Sequence, residues 1–492
     1  MERMPENRRP KLSDAAGVPA GGGEDRLSAL PDDLLIHILL KLRDAPVAAR
    51  TSILARRWRR VWALLPELDF PAATNPNGIR AALAAHDAPA LGRLLVDAIE
   101  GEAAPESVAA WLTIAARRLS GVLDFNNRQK MDGSSAASPL KLPCFQNATE
   151  VMLDLDSIGL TLPPSGIFTR LTDLELFDMQ LHGPCSLSDV VSSSRCPSLR
   201  RLCVYEVKGL DKFTIHSESL LKLYLCDLPS LQQLNVVAPA LQELAVEYCF
   251  TSEQSQPIAN ISAPQVVTLD WSSAYVPSSI LFGEISQLQQ LTAQYLTVYG
   301  QDILSARNQN CLMLLQHFDR ISRLILNLVY PLVKCSNRFL MEEMTKFPKV
   351  TSLTLAVMAF EHSFGASLFH VLRICSGIRE LEVKLALPSK PKAYPPCQSG
   401  CICAEPSNCE TEELVLPCLK EVAIVGLRGT EHELALVKRL FNWTTMLEGM
   451  RVNFHDSITE SKGEELRKLL LSFSRPGVRM NFMHHGEVCS YD

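Results

Sequence analysis

Apolar positions follow two different periods along this chain. Near the start they recur at helical steps: Leu34, Leu35, Ile38, Leu39 and Leu42 form one stripe on a helix face. Pro31 suits the first position of that helix, where its missing N–H costs nothing. Asp32 and Asp33 then lie in the first turn, where the helix dipole favours negative charge. Arg43-Asp44-Ala45-Pro46 interrupts the stripe, and Pro46 can open a second helix. Leu54, Trp58, Val61, Trp62 and Leu65 make a further stripe with Arg56, Arg57, Arg59 and Arg60 between them, and Pro66 stops it. Residues 71–118 are rich in alanine and are expected to be a helical connector, broken near Pro76, Pro89 and Pro105. Trp111, Leu112, Ala115 and Leu119 give that connector one apolar face.

From about residue 119 the period changes. Segments of the form apolar-x-x-apolar-x-apolar recur, as in Leu171/Leu174/Leu176, Leu199/Leu202/Val204, Leu220/Leu223/Leu225 and Leu241/Leu244/Val246. Later examples are Val266/Leu269/Trp271, Ile321/Leu324/Leu326, Val350/Leu353/Leu355, Ile378/Leu381/Val383 and Leu419/Val422/Ile424. Most neighbours lie roughly 20 to 30 residues apart, the period of leucine-rich repeats. The last two apolar positions alternate as the inward face of a strand requires. No single repeat can bury its own apolar edge, so the repeats must stack into a solenoid. Between Leu199 and Val246 the pattern is twice as dense, with Leu210/Phe213/Ile215 and Leu231/Leu234/Val236 interposed. One strand on each face of a flattened coil is expected there, with no helices.

Composition narrows the class. The chain has 492 residues, 47% of them hydrophobic and 21% charged, enough to bury a sizeable core. A net charge of -6 gives no clustered positive surface for nucleic-acid backbone. Residues 1–25, polar and closed by Gly21 to Asp25, read as a disordered leader without a secretory signal, and no run is long and apolar enough to span a bilayer. A cytoplasmic or nuclear location follows as the expectation. Most of the 15 cysteines should then be reduced thiols packed as small hydrophobes, and the glycosylation-like triplets at Asn147, Asn260 and Asn442 should be chance matches.

The run LPDDLLIHILLKL, followed by RTSILARRWRRVWALLPELDF, resembles the F-box, in particular that of the plant F-box/leucine-rich-repeat/FBD family. Leu30-Pro31, Ile38-Leu39, Arg50-Thr51-Ser52, Arg57-Trp58-Arg59, Trp62 and Leu68-Asp69-Phe70 carry the likeness. Ala55-Arg56 stands where family members often have Ser-Lys. Leu416 to Phe454 resembles the FBD module, with Gly426-Leu427-Arg428-Gly429-Thr430 and Glu433-Leu434 in the expected places. It should form a strand, a glycine turn, a helix with Leu434, Val437, Leu440 and Phe441 inward, and a closing strand at Met450 to Phe454. The resemblance implies an α+β chain: a three-helix F-box at 26–70, the connector at 71–118, a leucine-rich-repeat solenoid at 119–415 and an FBD-like cap at 416–492. The solenoid would have parallel strands backed by helices or short second strands. The family's F-box binds a Skp-type adaptor and, through it, a cullin ubiquitin ligase. Leu30, Pro31, Leu34, Leu35, Ile38, Leu39, Leu54, Trp58 and Trp62 are the implied contacts. Three short helices cannot bury two such stripes internally, so a partner would cover the excess. The interleaved arginines read as a solvated helix face.

Other chemistry is sparse. No nucleophile elbow, kinase set, dinucleotide fingerprint or H-E-x-x-H motif occurs, so a non-catalytic recognition subunit without a cofactor is expected. No metal is expected either. The nearest approach to a zinc site is Cys397, Cys401, Cys403 and Cys409 in a Pro/Gly-rich segment, which lacks paired C-x-x-C spacing and a histidine pair nearby. His484-His485 has no partner motif. Three functions stay open: a substrate adaptor of a Skp–cullin–F-box ligase, a non-degradative scaffold, and a small-molecule receptor. The last would be favoured by charged residues converging on the concave face of the repeats. The protein target itself is not readable.

Overall fold

The computed structural model describes residues 30–71, 74–97, 105–127, 138–250, 257–331, 338–385, 401, 403, 414–484 and 487–489. The leader at 1–25 therefore lies outside the described residues. Three helices come first: α1 (Asp32–Leu40), α2 (Ala45–Arg50) and α3 (Arg56–Ala63). Pro31 stands one residue before α1, as its cap, and Asp32 and Asp33 fill the first turn. Asp44 caps α2, its carboxylate accepting from the Val47 N–H at 2.8 Å, with Pro46 in the first turn. Arg57 of α3 reaches back to α1, donating to Asp32 at 2.7 Å and to the Leu30 carbonyl at 2.5 Å. That clasp fixes the angle between the helices. The pair is partly open to water and contributes little stability of its own.

One parallel sheet runs through nearly the whole chain. Its unbroken apolar row shows why. Leu68 pairs with Leu94, then Leu123, Val151, Leu174, Leu202, Leu223 and Leu244 follow in register, each on the next strand. The row continues through Leu269, Leu291, Leu324, Leu353, Leu381, Val422, Met450 and Met480. Each residue shields its neighbours' edge, so the sheet is stable only as a stack. Two residues further along each strand a second row, including Leu176, Val204, Leu225, Val246 and Trp271, is buried as well. The repeats anticipated from Leu171 to Ile424 fall on this ladder, except the two interposed segments at Phe213/Ile215 and Leu234/Val236.

Two differences from expectation concern its ends. The sheet begins at Glu67–Phe70 rather than near 119, and the alanine-rich stretch contributes a strand, Leu91–Asp97, between helices Pro76–Ala85 and Pro105–Arg118. Trp111, Leu112 and Ala115 face the core as expected, but Leu119 already opens the next strand. At the other end Gly449–Phe454 does not close the fold. Helix Glu460–Phe473 and strand Arg479–His484 follow, and Glu487–Cys489 turns back antiparallel on that strand. A reversed strand stops further parallel pairing.

The dense stretch is as anticipated. No helix interrupts Leu199 to Val246. Strands Arg201–Lys208, Lys222–Cys226 and Glu243–Glu247 join the main sheet, while Lys212–His216 and Gln233–Val237 pair with each other in a second sheet on the far side. Ile258–Ser262 and Ile280–Phe282 extend that second sheet. Elsewhere the backing consists of helices, among them Asp302–His317, Gly365–Ile374 and Glu431–Trp443. Among the described residues no helix is long and apolar enough to cross a membrane.

Candidate functional site

The three N-terminal helices divide the anticipated contact residues into two sets. Leu35, Leu39 and Trp58 are buried, at 0%, 3% and 5% exposure, in a core shared with the first strands of the sheet. They support the segment from inside, and Trp58 offers no face to a visitor. Leu34 at 49%, Ile38 at 40% and Leu54 at 70% point outward, Pro31 is exposed, and Leu30 and Trp62 are half-buried. Leu34, Ile38 and Leu42 lie at four-residue steps and make an outer stripe beside the inner pair Leu35 and Leu39. The sequence reading missed Ile53, which at 84% is the most exposed of the large apolar residues in this segment. It sits in the single 3₁₀ turn Thr51–Ile53 that joins α2 to α3. Helical periodicity has no register across such a turn, so the signal was only an isoleucine standing without an apolar companion on its face. Exposed Arg56, Arg59 and Arg60 are a solvated face, as expected.

The second surface is the open face of the main sheet. Here the residues between the buried rows point away from the backing helices. Across its C-terminal half they form a groove of about 630 Å³. One row reads Gln290, Arg323, Ser352, Glu380, Glu421, Gly449 and Arg479, each in register with the next. The row beside it runs Ile325, Thr354, Glu382, Ala423, Arg451 and Asn481. Three carboxylates in the middle are thus flanked by cations at both ends. Thr354 donates to Glu382 at 3.2 Å, Lys384 pairs with Glu382 at 3.4 Å, and Arg479 pairs with Glu421 at 3.4 Å. Gly449 gives the Glu421 carboxylate its room, because a Cβ there would collide with it. Seven strands at about 4.8 Å spacing make the groove roughly 30 Å long.

The N-terminal half of the same face is more aromatic. Arg201 pairs with Glu175 at 2.7 Å and lies over the Tyr224 ring at 5.8 Å. The Tyr224 hydroxyl donates to Glu243 at 2.5 Å. Burial, then that hydrogen bond, push the phenol up to about 12. Hydrogen bonds from Lys222 and Tyr224 hold the Glu243 carboxyl below its ordinary value. Further along, burial pushes Asp270 up to about 7, although the Ser272 hydroxyl donates to it at 2.6 Å. Burial also raises Glu247, its neighbour on this face.

The glycine turn near the C-terminus has a physical cause. The buried carboxylate of Glu433 accepts from the N–H groups of Arg428, Gly429 and Thr430 at 2.8, 2.7 and 3.2 Å. The Thr430 side chain accepts in return from the Glu433 N–H, completing a capping box at the start of helix Glu431–Trp443. Gly426 and Gly429 take positive φ values of 84° and 83°, and a Cβ on Gly429 would run into Leu466. Gly426-Leu427-Arg428-Gly429-Thr430 with Glu433 is therefore one hydrogen-bonded device. Val437, Leu440 and Phe441 are buried as expected, and Leu434 is half-buried.

Of the cysteine cluster, Cys401 and Cys403 are buried side by side against His362, while Cys397 and Cys409 lie outside the described residues. His362 was missed because it precedes them by about forty positions, beyond the reach of a local motif.

Comparison with known proteins agrees with this architecture. A family model described as "FBD-associated F-box protein At5g56370, LRR repeats" matches residues 108–294. The chain is similar to three Arabidopsis thaliana proteins. F-box/FBD/LRR-repeat protein At2g04230 is 30% identical over 220 residues, covering 42% of this chain and 48% of the relative. FBD-associated F-box protein At5g38590 is 28% identical over 289 residues, covering 56% and 68%. F-box/FBD/LRR-repeat protein At5g56420 is 27% identical over 303 residues, covering 56% and 66%. The chain spans about half the length of the first curated relatives it matches. With the leucine ladder, the two-strand coils and the glycine–Glu433 turn on the page, these matches make the chain similar to F-box/FBD/leucine-rich-repeat proteins, most extensively through its repeats.

Proposed function

We propose that this chain is the substrate-recognition subunit of a Skp–cullin–F-box ubiquitin ligase, with residues 26–70 as the F-box and residues 416–492 as an FBD-like module. The observation that carries the reading is the outer stripe of the N-terminal helices. Leu34, Ile38, Ile53 and Leu54 together leave the equivalent of roughly two and a half whole side chains in water. At about 2 kcal/mol per side chain, covering them is worth on the order of 5 kcal/mol, a useful fraction of a stable complex. The inner set, Leu35, Leu39 and Trp58, holds the stripe in shape. Ubiquitin transfer would reside in other subunits, and this chain would supply proximity. A cytoplasmic or nuclear site of action goes with that role.

The open sheet face is the proposed target surface. Its charged rows also favour the alternative of a small-molecule receptor, since they converge in one groove. Small-ligand pockets, however, are concave and mostly apolar. A groove roughly 30 Å long, with carboxylates at its centre and guanidinium groups at its ends, suits an extended polypeptide with basic residues in the middle. The test is co-expression of the full chain with a Skp-type adaptor and a cullin, followed by size-exclusion chromatography. Co-elution of all three is expected. Elution of the chain alone, while adaptor and cullin stay together, would overturn the proposal.

A further inference from the structure

Strand Ser352–Met358 leaves the sheet through a turn in which two consecutive non-glycine residues, Phe360 and Glu361, have φ values of 45° and 65°. Left-handed backbone is costly for side-chain-bearing residues, so such a pair persists only where its surroundings fix it. The turn delivers His362 into the interior, where its ring stacks on Tyr330 at 5.9 Å. The Nε2 atom lies 3.0 Å from the carbonyl oxygen of Pro331. A carbonyl can only accept, so Nε2 carries the proton and Nδ1 presents its lone pair. That lone pair faces two sulfurs: Cys403 Sγ at 3.3 Å and Cys401 Sγ at 3.5 Å. All three donor atoms lie within 4.8 Å of one another, and all three residues are buried.

These distances suit a metal. Tetrahedral zinc with a bond of about 2.0–2.1 Å to nitrogen and about 2.3 Å to sulfur needs nitrogen–sulfur edges of about 3.5 Å. The observed edges are 3.3 and 3.5 Å. A backbone carbonyl holding the remote ring nitrogen is the usual support of a ligating histidine. We propose that His362, Cys401 and Cys403 supply three of the ligands of a structural site for Zn²⁺. Binding releases one proton from each thiol. Two thiolates then balance the 2+ charge, so the buried site is neutral overall. Thiolates with imidazole select zinc over magnesium or calcium. The ion would pin Cys401 and Cys403 to the turn after strand Ser352–Met358. Cys397 and Cys409, the other members of the sequence cluster, lie outside the described residues.

The test uses the full chain expressed in zinc-supplemented medium, washed with a mild chelator and analysed by inductively coupled plasma mass spectrometry. About one zinc per chain is expected, falling to below about a tenth in the Cys401→Ser, Cys403→Ser double variant and in His362→Ala. Because these variants could misfold, the wild-type chain is also stripped with a strong chelator and titrated with Co²⁺. Thiolate-to-cobalt charge transfer and the intense visible bands of a tetrahedral ion are expected. Absence of those bands together with no stoichiometric zinc overturns the proposal. Wild-type zinc content in the folded double cysteine variant overturns it equally.

Discussion

Replacing Ile53 and Leu54 together with aspartate separates the proposed docking role from the fold. Both side chains stand in water, at 84% and 70% exposure, so the isolated chain loses almost no packing. Surface changes of this kind stay within about 0.5 kcal/mol each. In a complex the same pair would bury about one and a half side-chain equivalents, worth about 3 kcal/mol, before the desolvation of two carboxylates is added. That corresponds to at least about a 100-fold rise in Kd. The assay is isothermal titration calorimetry of the full chain against a purified Skp-type adaptor, with differential scanning calorimetry of each variant alone. The expected result is lost binding with Tm unchanged within about 3 °C. Binding within about three-fold of wild type, at unchanged Tm, would refute the reasoning. Substitutions of the inner set cannot make this distinction. Leu39→Lys would bury an uncompensated charge, and Trp58→Ala would open a cavity costing about 3–5 kcal/mol, so Tm and binding would fall together.

Two further outcomes follow from buried carboxylates. Glu433→Ala leaves three N–H groups of the glycine turn without their acceptor and should destabilise the chain by about 3 kcal/mol; a chemical-denaturation midpoint equal to wild type would contradict this. Asp270, raised by burial from 3.8 to about 7, binds a proton more tightly folded than unfolded, so its contribution is present in acid and is lost as pH rises through about 7. The loss begins near the unfolded value of 3.8, so Asp270→Asn should exceed wild type in Tm by a margin that widens from pH 4 to about pH 7 and then levels off, and parallel Tm profiles across that range would exclude the effect.

The repeat ladder was readable because each strand places two apolar residues two positions apart on one buried face, and Leu174/Leu176 or Leu353/Leu355 show this without any tertiary information. Leu91, Leu94 and Val96 carry the same pattern, but alanines on both sides hid it inside an apparent helix, and only pairing with Leu68 and Leu123 reveals the strand. The outer stripe of the N-terminal helices was legible as apolar, not as exposed. Leu34 and Leu35 look alike in sequence, and which one faces the core depends on where the sheet begins. Ile53 lay in a turn outside any period. The meeting of His362 with Cys401 and Cys403 depends on which parts of the coil the fold brings together, information that no local spacing contains.

The proposed role requires the turn between α2 and α3 to touch the adaptor directly. Photo-crosslinking tests it most closely: p-benzoylphenylalanine replaces Ile53 in one sample and Leu469, an exposed residue of the C-terminal helix, in another. Irradiation with a Skp-type adaptor should give a chain–adaptor adduct from position 53 and none from position 469. Equal adduct from both positions, or none from position 53 while the complex is intact, would contradict it.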